Sequence, residues 1–312
     1  METEEFLNRE RIIPKSQGGE IVEGNIRLVD PVEQMKNNGT FRERSPEFEN
    51  LRCIIDDREQ IRKLYQKFAN QLLAYKKRTD NLHSDTVQFL EANLTATNEK
   101  LKEKDKQLKV VVKDLAKKNA LIKAASEVKG IGPVTIAYCM VYLDFGMARH
   151  ASCFWAYAGL DKPSYGRYEK GKTSGGNKSL RTALFTMADS MMKTKGAYRE
   201  VYDNYKTRLS NSDKITKSRN TQGQLIECAW KDTKPGHRHG AALRVIMKHF
   251  LADLWRMGRI YYGFPVDVLY PEAFLGENHR TIMPSYRDWE TDRKSTRLNS
   301  SHSAKSRMPS SA

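Results

Sequence analysis

The densest chemistry in this chain lies in residues 161–177, Asp161-Lys-Pro-Ser-Tyr-Gly-Arg-Tyr-Glu-Lys-Gly-Lys-Thr-Ser-Gly-Gly-Asn177, a turn-rich segment crowded with Lys and Arg. Structureless segments of that length are usually functional or disordered. Arg167, Lys170 and Lys172 within it, with Lys178 and Arg181 just beyond, could neutralise DNA phosphates, contacts that position a duplex without reading its sequence. Ser164 stands among these cations. A hydroxyl ringed by guanidinium and ammonium groups can attack a phosphodiester, because negative charge developing in the transition state is stabilised there. The plainer alternative is a turn serine. Gly166 through Gly171-Lys172-Thr173 also matches the nucleotide-binding pattern GxxxxGK[ST]. A P-loop NTPase needs a buried strand before that pattern and a helix starting at its Lys-Thr. Here Asp161-Lys-Pro163 precedes it and Ser174-Gly-Gly176 follows, which argues against the NTPase reading.

A second constellation, Val128-Lys-Gly-Ile-Gly-Pro133, is a glycine turn feeding a helix. Gly130 and Gly132 permit positive φ and close backbone approach, Pro133 suits the first helical position, and Lys129 adds charge beside the new helix's free N–H groups. Such a turn can hold a nucleic-acid phosphate. It can equally be a tight connection between two packed helices.

The elements that must position these groups read as mainly α-helical. Residues 1–48 form a poorly defined arm with scattered charges and Pro14, Pro31 and Pro46, in which only 21–29 suggests a strand. Leu51, Ile54, Ile55, Ile61, Leu64, Phe68 and Leu72 follow helical spacing to about residue 77. After a break at 79–85, Val87, Leu94, Leu101, Leu108, Leu115 and Ile122 repeat every seventh residue, with Leu90 and Val111 between, as in a coiled coil. About 43 residues of helix would make a rod on the order of 65 Å. Thr97, Lys104 and Lys118 in the same seam make the pairing imperfect, as in an intramolecular hairpin or an antiparallel dimer. The lysines of 102–106 and 117–118 could touch DNA, though most charge runs on rods are solvated.

Beyond the glycine turn, helices are expected over 133–145, 153–158, 178–193 and 239–259, with Trp155, Trp230 and Trp255 packing among them and 204–221 an exposed polar insertion. The expected organisation is thus an arm (1–48), a coiled-coil helical hairpin (49–127), a compact helical DNA-binding domain with a helix-hairpin-helix-like turn (128–283) and a disordered tail (284–312). Within that tail, 292–312 reads as translated sequencing adapter, since Asp292-Arg-Lys-Ser295 is what GAT CGG AAG AGC encodes.

Bulk composition sets the class of partner. Lys and Arg outnumber Asp and Glu by 54 to 38 among 312 residues, a formal charge of +16, which favours polyanions. No apolar run approaches the roughly 18 residues that would span a bilayer. The N-terminus is acidic rather than signal-like, so the reading is a soluble cytoplasmic protein with no membrane partner. Cys53, Cys139, Cys153 and Cys228 form no CxxC pair and are expected as buried thiols, with no metal site and no cofactor in this chain.

Taken in order, the charged coiled coil, Val128-Lys-Gly-Ile-Gly-Pro133, Phe154-Trp-Ala-Tyr-Ala-Gly-Leu160, the basic Gly/Ser loop, Gly176-Asn-Lys-Ser-Leu-Arg181 and a late helix through 241–255 resemble the C-terminal part of IS110-type transposases. The similarity covers about residues 51–279 and rests on the combined order. It implies a DNA recombinase that breaks and rejoins strands at transposon ends with a serine nucleophile in its Gly/Ser loop. It also implies a prokaryotic protein, a guide RNA encoded by the element, and an RNase-H-like acidic domain holding Mg2+; the heptad seam adds the expectation of homo-oligomers through the coiled coil. Ser164 is the best match to the family's serine and Ser174 the alternative. The family commonly shows Ser followed by Gly-Gly and Lys, whereas Tyr165-Gly166-Arg167 follows Ser164. The acidic domain has no counterpart here, because Asp30, Asp56 and Asp57 do not fit its positions. The chain is therefore expected to bind DNA without completing transposition by itself. A non-catalytic helix-hairpin-helix DNA-binding protein is the alternative.

Overall fold

The computed structural model describes residues 8–11, 26–29, 45–78, 84–161, 175–219, 222–266, 269 and 282. Among them the chain is mainly helical, with eight α-helices and two small antiparallel hairpins. In the first hairpin β1 (Asn8–Arg11) pairs with β2 (Ile26–Val29), Asn8 opposite Val29. None of the helices is long and apolar enough to cross a membrane.

Helices α1 (Pro46–Arg78) and α2 (Ser84–Lys118) lie antiparallel. Four ion pairs set the register: Glu47 with Lys118, Asp57 with Lys104, Arg58 with Asp105, and Lys76 with Glu91. Burial is uneven along this pair. Leu51 and Ile55 from α1 meet the core together with Leu108, Val112 and Leu115 from α2. Toward the far end Leu64, Leu73 and Phe89 are 46%, 58% and 62% exposed, so packing there is much thinner.

The second helix is shorter than its seven-residue repeat predicts. It stops at Lys118, and Asn119 leaves helical geometry at φ −118° and ψ 109°. The Asn119 side chain accepts a hydrogen bond from the Ile122 backbone N–H and so caps a new helix, α3 (Ala120–Glu127). Ile122 continues the repeat in sequence, yet it is fully buried in this separate helix.

The remaining helices are α4 (Pro133–Tyr142), α5 (Ala151–Tyr157), α6 (Lys178–Lys193), α7 (Ala197–Ser210) and α8 (Pro235–Tyr261). They gather around α8, whose apolar face runs from Ala241 to Met257, and α5, α6 and α7 all pack against it. Helix α4 packs on both α2 and α6, so one apolar cluster joins the base of the long pair to the compact half. Two tryptophans fasten α8 to the elements before it. Trp155 Nε1 donates to the Lys248 carbonyl at 2.9 Å, and Trp255 Nε1 donates to the Ala148 carbonyl at 2.6 Å. Trp230 lies against the His237 ring. At Gly258 a side chain would collide with the Phe145 ring, so this glycine is the notch that lets the 145–147 turn close on α8.

The segment 204–221 is not a simple exposed insertion. Its first part completes α7, where Tyr198, Tyr202 and Leu209 face the core, and its second forms β3 (Ile215–Arg219), paired with β4 (Leu225–Ala229). The cysteines also differ from expectation. Only Cys139 is buried; Cys53 and Cys153 are exposed, and Cys228 lies on β4. All four are free thiols, and burial pushes the Cys139 thiol well above its ordinary range.

Candidate nucleic-acid site at the two ends of α6

Helix α6 is built by Leu180, Leu184, Met187 and Met191 on one face, all fully or nearly fully buried, and by Asn177, whose side chain accepts from the Leu180 N–H at 3.0 Å. Its two ends receive the two constellations seen in the sequence. Thirteen residues separate Lys178 from Met191, so those ends lie about 20 Å apart.

At the C-terminal end sits the glycine turn. Gly130 has φ +96°, and a Cβ there would come within 2.7 Å of Met191 Cα and 2.9 Å of the Thr194 hydroxyl. The bare face of Gly130 is thus occupied by α6, which makes it a packing glycine. Gly132 differs: a Cβ there would meet nothing within 4 Å, and the residue stands exposed as the N-cap of α4 with Pro133 behind it. Lys129 is exposed beside Gly196.

At the N-terminal end lies the base of the basic loop. Ser164, Arg167, Lys170, Lys172 and Ser174 fall outside the described residues, but the neck that carries them is well defined. Gly159 (φ +65°) and Gly176 (φ +88°) press backbone to backbone. A Cβ on Gly176 would come within 2.7 Å of Gly159 Cα, and one on Gly159 within 2.7 Å of the Gly175 carbonyl. The Asn177 N–H donates to the Tyr157 carbonyl at 2.6 Å. The loop therefore leaves and re-enters at one point, with Lys178 exposed and Arg181 half-buried beside it. The last described element before the GxxxxGK[ST] match is helix α5, where a P-loop has a strand.

Behind this neck lies a cluster that no local sequence signal announces. Glu59 of α1 is only 7% exposed. Arg62 grips its carboxylate, with Nη2 to Oε2 at 2.8 Å and Nε to Oε1 at 3.1 Å. Ser179 Oγ donates to Oε2 at 2.5 Å, the Tyr138 hydroxyl donates to Oε1, and Arg58 Nη1 donates to the Tyr138 oxygen at 3.0 Å. Burial raises the Glu59 pKa, but the hydrogen bonds from Arg62, Ser179 and Tyr138 outweigh it and hold the carboxyl at about 2. The same burial, with the hydrogen bond to Glu59, pushes the Tyr138 hydroxyl far up. Burial likewise raises Tyr142 to about 12. A carboxylate of so low a pKa with its acceptor positions filled is a poor general base, so Ser179 is not an activated nucleophile. The cluster ties α1 to α4 and to the first turn of α6, next to the loop's re-entry.

Among the described residues, no group of three or more His, Cys, Asp and Glu is placed to hold a metal ion. Asp56 is exposed, and Asp57 is engaged by Lys104 at 2.9 Å.

Residues 122–203 match the family described as Transposase IS116/IS110/IS902 family. That segment runs from α3 into α7 and so contains the glycine turn, the loop and the whole of α6. No curated protein matches the chain.

Proposed function

From the IS110-family transposase domain carried by residues 122–203, we propose that this chain binds transposon-end DNA through the basic loop and the N-terminal end of α6. Ser164 then attacks a phosphodiester held there. The observation that supports the reading is that the matched segment encloses a cation-rich loop cinched at Gly159 and Gly176, with Lys178 and Arg181 at its base. In the reaction, Ser164 Oγ forms a bond to phosphorus, the bond from phosphorus to the next nucleotide's oxygen breaks, the serine proton passes to solvent and the leaving oxygen is protonated. A phosphoserine ester preserves the energy of the broken link for rejoining. Loop cations stabilise charge on the non-bridging oxygens. Ser174 is the alternative nucleophile.

An acidic Mg2+-binding domain belongs to the same proposal; among the described residues no group of three or more His, Cys, Asp and Glu is placed to hold the ion. An element-encoded guide RNA and self-association through α1 and α2 belong to the same proposal.

A duplex of transposon-end sequence with a bridging phosphorothiolate tests it. The thiolate leaves without protonation, so a covalent adduct accumulates. The expected result is an adduct that survives denaturant, is lost in Ser164→Ala and persists in Ser174→Ala. An adduct unchanged in Ser164→Ala removes that residue from the chemistry, and salt-sensitive binding with no adduct in any variant leaves a DNA-binding protein without a nucleophile.

A further inference from the structure

Phe185 is 50% exposed on α6, although Leu180, Leu184, Met187, Ala188 and Met191 fill that helix's buried face. It is therefore not overflow from the core stripe. On the outer flank it follows Lys178, Arg181 and Thr182 at spacings of seven, four and three residues, so these side chains form one ridge leading away from the loop neck. Apart from Lys178 and Arg181, the polar side chains on and beside the ridge, Thr182, Thr186 and Asp189, are engaged within the helix. Thr182 Oγ1 donates to the Lys178 carbonyl at 2.9 Å and Thr186 Oγ1 to the Thr182 carbonyl at 3.1 Å, which commits both hydroxyl protons to the backbone. One turn further on, Asp189 is paired with Lys193 at 2.6 Å, so its charge opposes a polyanion less. What remains is two cations and an aromatic ring.

We propose that Phe185 is a stacking platform for an unpaired nucleobase, with Lys178 and Arg181 holding the phosphates that flank it. The inference rests on the DNA-binding reading of the loop and deepens it by naming the form of DNA bound. A ring flanked by two cations is the chemistry of sequence-tolerant single-strand binding. Lys178 and Phe185 lie about 10 Å apart along the helix, a span their side chains can bridge onto one nucleotide and its neighbouring phosphates. A paired, stacked base shows no free face to such a ring, whereas a strand freed at a cleavage site does. Phe185 thus marks where a strand leaves the duplex beside the nucleophile loop.

The test uses the full chain and 2-aminopurine-labelled oligonucleotides of transposon-end sequence, one fully paired and one with a short single-stranded gap. Phe185→Ala is expected to weaken binding to the gapped DNA about tenfold while changing the paired duplex by less than about twofold, and Phe185→Tyr to restore it. Half exposure makes these substitutions mild for folding, and a thermal melt confirms it. Equal loss on both DNAs, or loss on neither, overturns the platform while leaving the DNA-binding reading intact. A change in sedimentation with no change in DNA affinity assigns Phe185 to contact with a second copy of the chain. A wild-type chain that binds neither oligonucleotide removes the DNA-binding reading itself.

Discussion

Replacing Glu59 by glutamine keeps the shape of the cluster behind α6 and removes its charge, which makes its effect calculable. The Glu59 carboxyl lies at about 2 in the folded chain against an ordinary 4.5. Because the folded value is depressed, the stabilisation is fully present above pH 4.5 and is lost as pH falls toward 2. Between pH 6 and pH 3 the lower folded value implies that this one group gives up about 2 kcal/mol of folding free energy. Urea unfolding of the wild type and of Glu59→Gln, repeated at half-unit pH steps across that interval, reads the difference directly. At pH 6 the variant should be less stable, because its amide can accept from only some of Arg62, Ser179 and Tyr138 and leaves the Arg62 charge uncompensated. As pH falls the two curves should converge by about 2 kcal/mol. Other carboxylates cancel in the comparison. A gap that stays constant from pH 6 to pH 3 would show that Glu59 titrates normally, and the clamp between α1 and α6 would fall with it.

The glycines at the two ends of α6 give a sharp contrast. Gly176→Ala and Gly130→Ala force positive φ and a backbone collision, at a cost of about 2–4 kcal/mol each. Gly132→Ala meets open space and should shift stability by less than about 0.5 kcal/mol, since a poorer N-cap is offset by a stiffer unfolded chain; thermal melts of the three variants rank them. If Lys178 and Arg181 contact phosphates, replacing both by alanine should lower the slope of log affinity against log salt by about 2 on a paired duplex, measured by fluorescence anisotropy. An unchanged slope would place the duplex elsewhere on the molecule.

What the sequence revealed and what it hid follow from how far apart the cooperating residues lie. The bounds of α6 were legible because an unbroken period of buried Leu and Met follows a capping Asn177, all within seventeen residues. The split between α2 and α3 was not, since Leu115 and Ile122 keep their seven-residue step straight across Asn119. Only the Asn119 cap reveals the break, and an Asn inside a charged rod is an ordinary surface residue. Helix α7 was hidden because its inward stripe is Tyr198, Tyr202 and Leu209, aromatic and spaced among charges, in place of the aliphatic run that marks the other helices. The loop neck and the Glu59 cluster had no local signature. Tyr138 lies 79 residues from Glu59 and Ser179 lies 120 away, so only the packed helices bring them together.

That long-range closure changes the meaning of the two motifs from which the sequence reading started. The sequence places the glycine turn and the basic loop in one helical DNA-binding domain. They engage opposite ends of a single helix, with Gly130 consumed in packing at one end and the loop cinched at the other. A helix of this length cannot bend to bring its ends together. Any duplex that touched both Gly132 and Lys178 would therefore have to run alongside α6. The Ser179 hydrogen bond to Glu59 joins the first turn of that helix to α1. Through Glu59 the long helical pair is therefore tied to the first turn of α6, next to the Gly159–Gly176 neck where the described backbone resumes after the loop.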